Sequence, residues 1–464
     1  MGMARAARSR TSRLRRMLGR RQDWRLKVPN IRILRPHFGW IGPMLVLATT
    51  IASIIAASGG SGPAGDATAA GLTIGAASMA LMAWSFILAV RIPLIEPIFG
   101  GLDSAYRVHR WAGALSIPMM LFHAGSAEIA DGYLEFSRSA SNTGLTVAGV
   151  ALIMGIALFL LSILRWMPYR WWRLTHKLFG VVYIFAAWHI YTVEKPYQNW
   201  SVQGAYLNVL MAAGLLAFLY RVIGRDMIRR GLRYRVVSAT RVGTAVDLVL
   251  EPMGKDLDYH PGQFAVIKVQ KRGLSEPHVF TVAAPPGSGH LRFFIRRLGD
   301  WTAKLYDADL EGVEVLVEGP YGTFEATKQD APTVWVAGGV GITPFLSNST
   351  VLPTDSHNPP VLFYCVRTRD DAMGIELLDR AHRDGKIDLQ IIASADGQRF
   401  TKSTLADHFG PKGLKGGHVA LCGPKSLIIS AEKASRKLGA ASVETEDFDF
   451  RQGFGPDLPG LRRD

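Results

Sequence analysis

Long apolar runs fill the first half of the chain and restrict its possible folds more than any other feature. Between residues 40 and 222, of 464 in all, charged side chains are few and the apolar runs are each close to a bilayer in length. A helix of about 20 apolar residues crosses the hydrocarbon core of a membrane. We predict six membrane-spanning helices, at residues 40–58, 72–95, 105–125, 144–164, 172–192 and 204–222.

Positive charge is concentrated in the sequence that precedes these apolar runs. The formal net charge is +15, and residues 1–36 hold eleven Arg and one Lys against one Asp. A basic tail could bind nucleic acid or anionic lipid, but a cytosolic flank that obeys the positive-inside rule is the simpler explanation, because an apolar run follows directly. Arg-rich and Arg-poor loops then alternate, which predicts a multi-pass protein of the cell membrane with both termini and the second half of the chain in the cytosol. We expect no nucleic-acid partner.

Four histidines lie in the apolar half, all in the predicted third and fifth helices. His109 and His123 are 14 residues apart and His176 and His189 are 13 apart, so each pair spans about 20 Å of helix. Because the two helices run in the same direction, His109 and His176 share one depth, and His123 and His189 share another. We predict two haems, each with two imidazole ligands on its iron. The alternatives are polar contacts between helices and a metal transporter, which would usually add mid-membrane carboxylates.

The spacing of 13 residues in the fifth helix conflicts with this arrangement. On an ideal α-helix, 14 residues return to within about 40° of the starting face, whereas 13 residues end about 140° away. Either the fifth helix is distorted, or its two haems approach from different sides.

Residues 229–327 consist of short strands and turns that suit a flavin. The hydroxyl of Thr281 can hydrogen-bond the isoalloxazine edge, and Arg296 can pair with pyrophosphate. The turn from Gly299 to Thr302 can begin a helix whose free N–H groups face phosphate oxygens. Each piece alone is weak, since such a turn is often only a capped helix start, but their order and spacing favour a flavin-binding domain.

Residues 331–450 alternate strands and helices, which is typical of a Rossmann-like α/β domain. One strand leads into a glycine-rich turn that lets backbone amides approach a pyrophosphate. Another strand ends in a Cys-Gly-Pro sequence, at the sheet edge where ligands bind in such folds. The predicted nicotinamide-binding residues are Gly338, Gly339, Gly341, Thr343, Pro344, Cys422, Gly423 and Pro424.

Two arginines and two aromatic residues complete the predicted site. Arg367 and Arg399 follow two further strands and could meet a 2′-phosphate, which favours NADPH over NADH, although two surface arginines are the plain alternative. Phe448 and Phe450 follow a short terminal strand. Either ring could cover a flavin face and make way for nicotinamide, or belong to the core. Residues 451–464 are expected to form a loose tail.

Together these segments resemble the ferric reductase and NADPH oxidase superfamily, which joins a six-span, bis-haem domain to a ferredoxin-reductase-like FAD/NADPH module. The likeness covers about residues 40–450. His278-Val279-Phe280-Thr281 is similar to the family's flavin motif, with Val279 in place of its Pro. The resemblance implies haem ligation by the four histidines, flavin contacts from His278 and Phe280, and catalytic roles for Thr281, Cys422 and Phe448, with Phe450 as the second match for the flavin-covering aromatic.

The expected multi-domain fold follows from both lines of reasoning. A basic tail (1–39) precedes an all-α six-helix transmembrane bundle (40–223), an antiparallel β-barrel FAD domain (229–327) and an α/β nicotinamide domain (331–450). The expected activity carries electrons from cytosolic NADPH through FAD and two b-type haems to an acceptor on the opposite side. Ferric chelates, dioxygen, and a quinone or extracytoplasmic redox protein remain alternative acceptors.

Overall fold

Three structural units follow one another along the chain. The first is a bundle of helices, the second is all-β, and the third is a parallel α/β unit. The computed structural model describes residues 39–58, 66–91, 95–126, 133–164, 167, 169–224, 231–327, 331–354, 358–410 and 413–446.

Helices occupy all six apolar segments, and the fifth segment holds two of them. The second helix starts and ends six residues earlier than predicted, and it ends at Ala89, ahead of Pro93, whose ring cannot continue a helix. The helices are α1 Ile41–Ser58, α2 Asp66–Ala89, α3 Leu102–Ser126, α4 Arg138–Ile163, α5 Tyr169–Lys177, α6 Phe179–Thr192 and α7 Val202–Leu219.

Four helices in the part of the chain that the structure describes are long and apolar enough to cross a membrane. They cover Ile41–Ser58, Ala69–Ala89, Arg138–Ile163 and Val202–Val222. α3 is less apolar because its first turns carry Asp103, Arg107 and Arg110. The fifth segment is divided at Leu178 into helices of 9 and 14 residues. The predicted number of six spans therefore stays a prediction, and the two segments outside the set of four are those that carry the histidines.

The break at Leu178 distorts the fifth segment between its two histidines. The N–H of Leu178 donates to the carbonyl of Thr175 at 3.0 Å, and the N–H of Val181 donates to the carbonyl of Leu178 at 2.9 Å. Both bonds join residues three apart, as in a 3₁₀ turn. Each residue of such a turn rotates about 120° instead of 100°. The extra rotation moves His189 towards the face of the helix that bears His176.

α2 lies at the centre of the bundle, where it packs against α1, α3 and α7, while α4 packs against α6. Tyr183 of α6 is fully buried, and its hydroxyl donates to the carbonyl of Met211 at 3.0 Å. Small residues allow close approach of helices. At Gly180, for example, an added Cβ would lie only 2.0 Å from the ring of Phe218.

The second unit is a single antiparallel sheet of six strands in the order β4-β3-β6-β1-β2-β5. The sheet is curled, because Ala283, just beyond the edge strand β4, donates from its N–H to the carbonyl of Arg292 in the opposite edge strand at 2.9 Å. A short helix, α8 (Asp300–Asp307), packs against the core through Trp301 and Leu305. The strands are β1 Leu232–Val242, β2 Ala245–Pro252, β3 Phe264–Val269, β4 His278–Thr281, β5 Leu291–Arg296 and β6 Glu314–Tyr321.

The third unit is a parallel sheet of five strands in the order β11-β10-β7-β8-β9, with one apolar cluster on each face. Buried Trp335 stacks on Phe345 at 5.3 Å and donates to the carbonyl of Ala326 at 2.7 Å. The strands are β7 Thr333–Gly338, β8 Val361–Val366, β9 Asp388–Ala393, β10 His418–Cys422 and β11 Ser442–Glu446. The helices are α9 Thr343–Val351, α10 Ile375–Arg383, α11 Lys402–Phe409 and α12 Lys425–Lys437.

Substitution of Gly180 by Ala is expected to destabilise the helical bundle. The added methyl group would force the Phe218 ring away from Phe86, with which it packs at 5.5 Å. Overpacking of this kind costs about 1–3 kcal/mol, so the apparent Tm of the detergent-solubilised protein, followed by circular dichroism, should fall. Gly149→Ala is the control, since nothing lies within 4 Å of its added Cβ. Equal melting of the two variants would contradict the packing argument.

Candidate functional site

The structure brings the four membrane histidines together as two facing pairs. The ring centres of His109 and His176 lie 6.1 Å apart, and those of His123 and His189 also lie 6.1 Å apart. One metal ion bonded to the Nε2 atoms of both rings would hold the ring centres about 6.3 Å apart, with metal–nitrogen bonds of about 2 Å. The two levels are separated by 14 residues of α3, or about 21 Å. The pairing predicted from helix geometry therefore matches the spacing of two bis-imidazole sites.

Each site offers two protein ligands and no more. Among the described residues there is no group of three or more His, Cys, Asp or Glu side chains placed to hold a metal ion. A metal held only by two opposed imidazoles needs further ligands from another source. A haem supplies them from its porphyrin ring, which is why axial imidazole pairs are typical of haem iron.

The backbone of α2 fixes the orientation of both α3 histidines. Nδ1 of His109 lies 2.7 Å from the carbonyl oxygen of Ser85, and Nδ1 of His123 lies 2.9 Å from that of Gly71. A carbonyl oxygen only accepts, so Nδ1 carries the proton in both rings and Nε2 keeps its lone pair for a metal. Ser85 and Gly71 are also 14 residues apart, so the antiparallel helices α2 and α3 form the same hydrogen bond at the level of each histidine.

Other contacts orient His176. Its Nδ1 lies 3.3 Å from Oγ of Ser162, and its ring stacks on Trp172 at 4.8 Å. Nδ1 of His189 is buried without a hydrogen-bond partner among the described residues. Against the ring of His123, α2 leaves no room for a further side chain: a Cβ on Gly75 would lie 2.7 Å from Nδ1 of His123. Close helix packing thus positions the ring at that level.

Thr281 presents a buried hydroxyl that no other group satisfies. The residue is 4% exposed, and its Oγ1 has no hydrogen-bond partner among the described residues. An unsatisfied buried hydroxyl is costly. The cost is removed if a ligand accepts or donates a hydrogen bond there, as the edge of a flavin ring can. The hydroxyl on β4 thus fits the flavin contact predicted for it.

Aromatic rings surround the same strand. His278 stacks on Trp301 with ring centres 4.0 Å apart, and Phe280 lies 5.9 Å from Trp301 in a stacked orientation. Arg296 ends β5 with an exposed side chain. Gly299 is the N-cap of α8, as predicted, while the hydroxyl of Thr302 accepts from the N–H groups of Leu298 and Gly299 at 2.9 Å. Thr302 therefore shapes the turn through its capping bonds.

The glycine-rich turn and the Cys-Gly-Pro sequence lie side by side at the carboxyl ends of β7 and β10. Ala337 and Cys422 are direct neighbours across these strands. A Cβ on Gly341 would lie 2.3 Å from the carbonyl oxygen of Cys422, so only glycine fits there. Gly339 has a φ of +54°, in the left-handed region that favours glycine.

The other predicted nicotinamide-binding residues lie at the same edge of the sheet. Thr343 is the first residue of α9, and Pro344 follows it. A Cβ on Gly338 would lie 2.6 Å from Cδ of Pro424, and Gly423 is in contact with the backbone of Gly338. The two predicted sequence motifs thus form one surface.

Arg367 and Arg399 are both exposed beyond the ends of β8 and β9. The segment after β9 is tied to the end of β8, since the N–H of Ala395 donates to the carbonyl of Arg367 at 2.9 Å. Their placement at the same sheet edge as the glycine turn suits recognition of a phosphate. Phe448 and Phe450 lie outside the described residues.

An aromatic contact that the sequence did not predict joins the helical bundle to the β unit. Tyr106 lies one turn before His109, with ring centres 5.9 Å apart, and packs in one cluster with Phe264 and Val279. Phe264 pairs with Thr281 across β3 and β4. A continuous line of packed residues therefore leads from a membrane histidine to the unsatisfied hydroxyl.

Polar contacts hold this junction in place. Nε of Arg91 donates to the hydroxyl of Tyr106 at 2.7 Å, and Thr323 Oγ1 donates to the carbonyl of Gly100 at 3.4 Å. Arg91 has a φ of +58°, and it is the only non-glycine residue in the described ranges with a positive φ. Such strain is held only where the surroundings determine it. Pro93 in the sequence indicates the end of a helix, but no sequence pattern predicts that the following loop contacts the β unit.

Three known families match consecutive parts of the chain. Residues 74–187 match the ferric reductase like transmembrane component, residues 237–325 match an FAD-binding domain, and residues 335–433 match an oxidoreductase NAD-binding domain. The first match includes His109, His123 and His176. The second and third coincide with the curled sheet and the parallel α/β unit.

Known relatives match the whole arrangement or its second half. Ferric reduction oxidase 5 of Arabidopsis thaliana is 26% identical over 390 residues, which are 77% of this chain and 53% of the relative. The flavohemoprotein of Deinococcus radiodurans is 30% identical over 247 residues, or 49% of this chain and 60% of the relative. The 2-halobenzoate 1,2-dioxygenase electron transfer component of Burkholderia cepacia is 26% identical over 212 residues, or 43% of this chain and 62% of the relative.

The chain thus spans little more than half the length of these relatives. A helical membrane region is followed by an FAD-binding domain and an NAD-binding domain, in the order that the sequence motifs predicted. With these matches the predicted resemblance to the ferric reductase and NADPH oxidase superfamily is confirmed.

Proposed function

We propose that this protein is a transmembrane oxidoreductase that passes electrons from cytosolic NADPH through FAD and two b-type haems to an acceptor on the opposite side of the cell membrane. The observation that carries the proposal is the pair of imidazole sites, each with ring centres 6.1 Å apart. A bound flavin accepts a hydride and releases electrons singly, and a bound haem carries one electron at a time. The protein has to hold these groups in sequence across the bilayer.

The residues divide this task between the three units. His109 and His176 would hold one haem, and His123 and His189 the other. The hydroxyl of Thr281 would bind the flavin edge, where it satisfies a buried group that otherwise has no partner. Arg296, His278 and Phe280 would complete the flavin site.

The edge formed by the glycine turn and Cys422 would hold the nicotinamide nucleotide next to the flavin. Cys422 is buried between Ala337 and Glu446, its neighbours in β7 and β11. We place Cys422 and Phe448 at the hydride-transfer position on the strength of their sequence motifs. The direction of transfer requires this half in the cytosol, which agrees with the positive charge on that side of the predicted spans.

Two classes of acceptor are consistent with this arrangement. A ferric chelate or dioxygen would make the protein a small-molecule reductase or oxidase, whereas a quinone or an extracytoplasmic redox protein would make it a membrane electron donor. The predicted outer loops are short, which favours a small acceptor. NADPH consumption with each acceptor, and reduction of cytochrome c with and without superoxide dismutase, distinguishes these alternatives.

The haem assignment predicts a specific loss in His123→Leu. The purified protein should show reduced b-type absorption with dithionite and two haems per flavin. In His123→Leu one haem and all transmembrane electron flow should be lost, while NADPH still reduces the flavin. Phe122→Leu, a change at the exposed neighbouring position, is the control. Unchanged electron flow in His123→Leu would defeat the assignment, and a flavin-loaded wild type without b-type absorption would defeat the proposal.

The junction at Tyr106 predicts a second separable effect. Tyr106→Leu removes the ring between His109 and Phe264 and loosens the docking of the β unit, so stopped-flow measurements should show haem reduction by the flavin slowed roughly tenfold or more, because small misplacements of reacting groups are costly. Flavin reduction by NADPH and the haem spectrum should be unchanged. Tyr106→Phe keeps the ring and should retain most of the rate. Wild-type haem reduction in Tyr106→Leu would show that the contact has no part in transfer.

The preference for NADPH is tested at Arg367 and Arg399. Each Ala variant should raise KM for NADPH about tenfold or more, since a hydrogen bond to a charged group contributes about 1.5–3 kcal/mol, while KM for NADH stays constant. Arg436→Ala, at a surface residue paired with Glu432 on α12, serves as the control. If KM rises equally for NADPH and NADH, the two arginines do not recognise the 2′-phosphate.

A further inference from the structure

Lys195 is a buried cation in the loop between α6 and α7. Its residue is 3% exposed, and its Nζ has one hydrogen bond, at 3.5 Å, to the carbonyl of Val193. The ammonium also lies 5.8 Å above the ring of Tyr197. Lysine is almost never fully buried unless it is paired with an anion. Burial lowers the pKa of Lys195 to about 8, although electrostatic interaction with Glu135 opposes the shift.

The carboxylates of the neighbouring loops do not fill this role. Glu135 is near enough to interact with Lys195 electrostatically, but its Oε1 accepts a hydrogen bond from the backbone N–H of Asn199. Glu194 pairs with Arg138 at 3.4 Å. No carboxylate in the described ranges forms an ion pair with Lys195. The site thus contains an enclosed cation that has a carboxylate nearby but forms no ion pair among the described residues.

The loop that carries Lys195 is fixed by hydrogen bonds. The carbonyl of Lys195 accepts from the N–H of Tyr133 at 2.9 Å, and the N–H of Glu194 donates to Oγ of Ser141 at 3.3 Å. Asn199 donates to the carbonyl of Tyr191 at 2.9 Å. These bonds hold the lysine inside, so its burial is a property of the folded loop.

Lys195 lies at the same end of the bundle as the second histidine pair. It follows His189 by six residues and interacts with that ring electrostatically. Tyr197, beneath the ammonium, packs in one cluster with Ala76, which follows Gly75, the glycine against the ring of His123. The missing anion therefore belongs next to the group held between His123 and His189.

We propose that Lys195 binds a carboxylate of the haem held by His123 and His189 and acts as its buried counter-ion. This inference rests on the proposed haem binding. A b-type haem carries two carboxylate side chains, so it brings the anion that the loop lacks. The low exposure of Lys195 decides between two sources of negative charge: a passing anionic acceptor needs an exposed cation, whereas a resident cofactor can pair with an enclosed one.

A cation enclosed beside a haem stabilises the additional electron of the reduced state, because Coulomb interactions are weakly screened away from water. In Lys195→Gln the midpoint potential of one haem should therefore fall by about 59 mV or more, a tenfold change in its ratio of reduced to oxidised forms, or that haem should be lost during purification. The other haem should keep its potential. Lys195→Arg retains the charge and should restore the wild-type value.

The measurement is a potentiometric titration of the b-type absorption of the purified holoprotein, together with its haem content. Arg138→Gln is the matched control, since it removes a positive charge from the first residue of α4, whose side chain is 78% exposed and screened by solvent. In a His123→Leu background, Lys195→Gln should leave the remaining haem unchanged.

Two haems with wild-type potentials in Lys195→Gln, or a shift no larger than that of Arg138→Gln, would overturn the inference while leaving the proposed function intact. A change only in KM for an anionic ferric chelate would also overturn it, because the lysine would then serve the acceptor. A wild-type protein without haem would refute the proposed function and this inference together.

Discussion

Two hydrogen bonds from α2 determine how the membrane half of this protein can work. The carbonyls of Ser85 and Gly71 hold the Nδ1 atoms of His109 and His123, so both rings have a fixed tautomer and point Nε2 away from α2. Backbone carbonyls are suited to this because they accept only and cannot rotate independently of the helix. The facing rings of the fifth segment, and any metal between them, depend on that orientation.

Contact between the helical bundle and the β unit would let the three units act as the electron-transfer system proposed above. α3 contributes His109 to the bundle and, one turn earlier, Tyr106 to a cluster with Phe264 and Val279. The same helix thus positions both His109, a proposed haem ligand, and the ring that packs against the strand proposed to bind flavin. Domains joined only by a flexible linker would have to find this geometry by diffusion.

Local sequence patterns predicted more of this molecule than did residues that meet only in the folded state. The helical segments, the depth of the histidines and the turn at Gly338–Gly341 follow from periodicity, rise per residue and turn chemistry. The place where the fifth segment bends, at Leu178, depends on packing against neighbouring helices. The stacking of His278 on Trp301 and the burial of Lys195 both depend on contacts between residues that are distant in the sequence. Local sequence patterns do not predict such contacts.

The division of the fifth segment and the charged first turns of α3 have a consequence for biogenesis. Segments that are short or carry Arg and His partition poorly into lipid by themselves. Strongly apolar helices flank both of them, with α2 before α3 and α4 before α5. In the proposed topology each histidine-bearing segment would enter the bilayer after an apolar neighbour. The polar groups of these neighbours, Ser85 and Gly71 on α2 and Ser162 on α4, would already offer partners to His109, His123 and His176. Insertion of the nascent chain would thereby be coupled to assembly of the proposed haem sites.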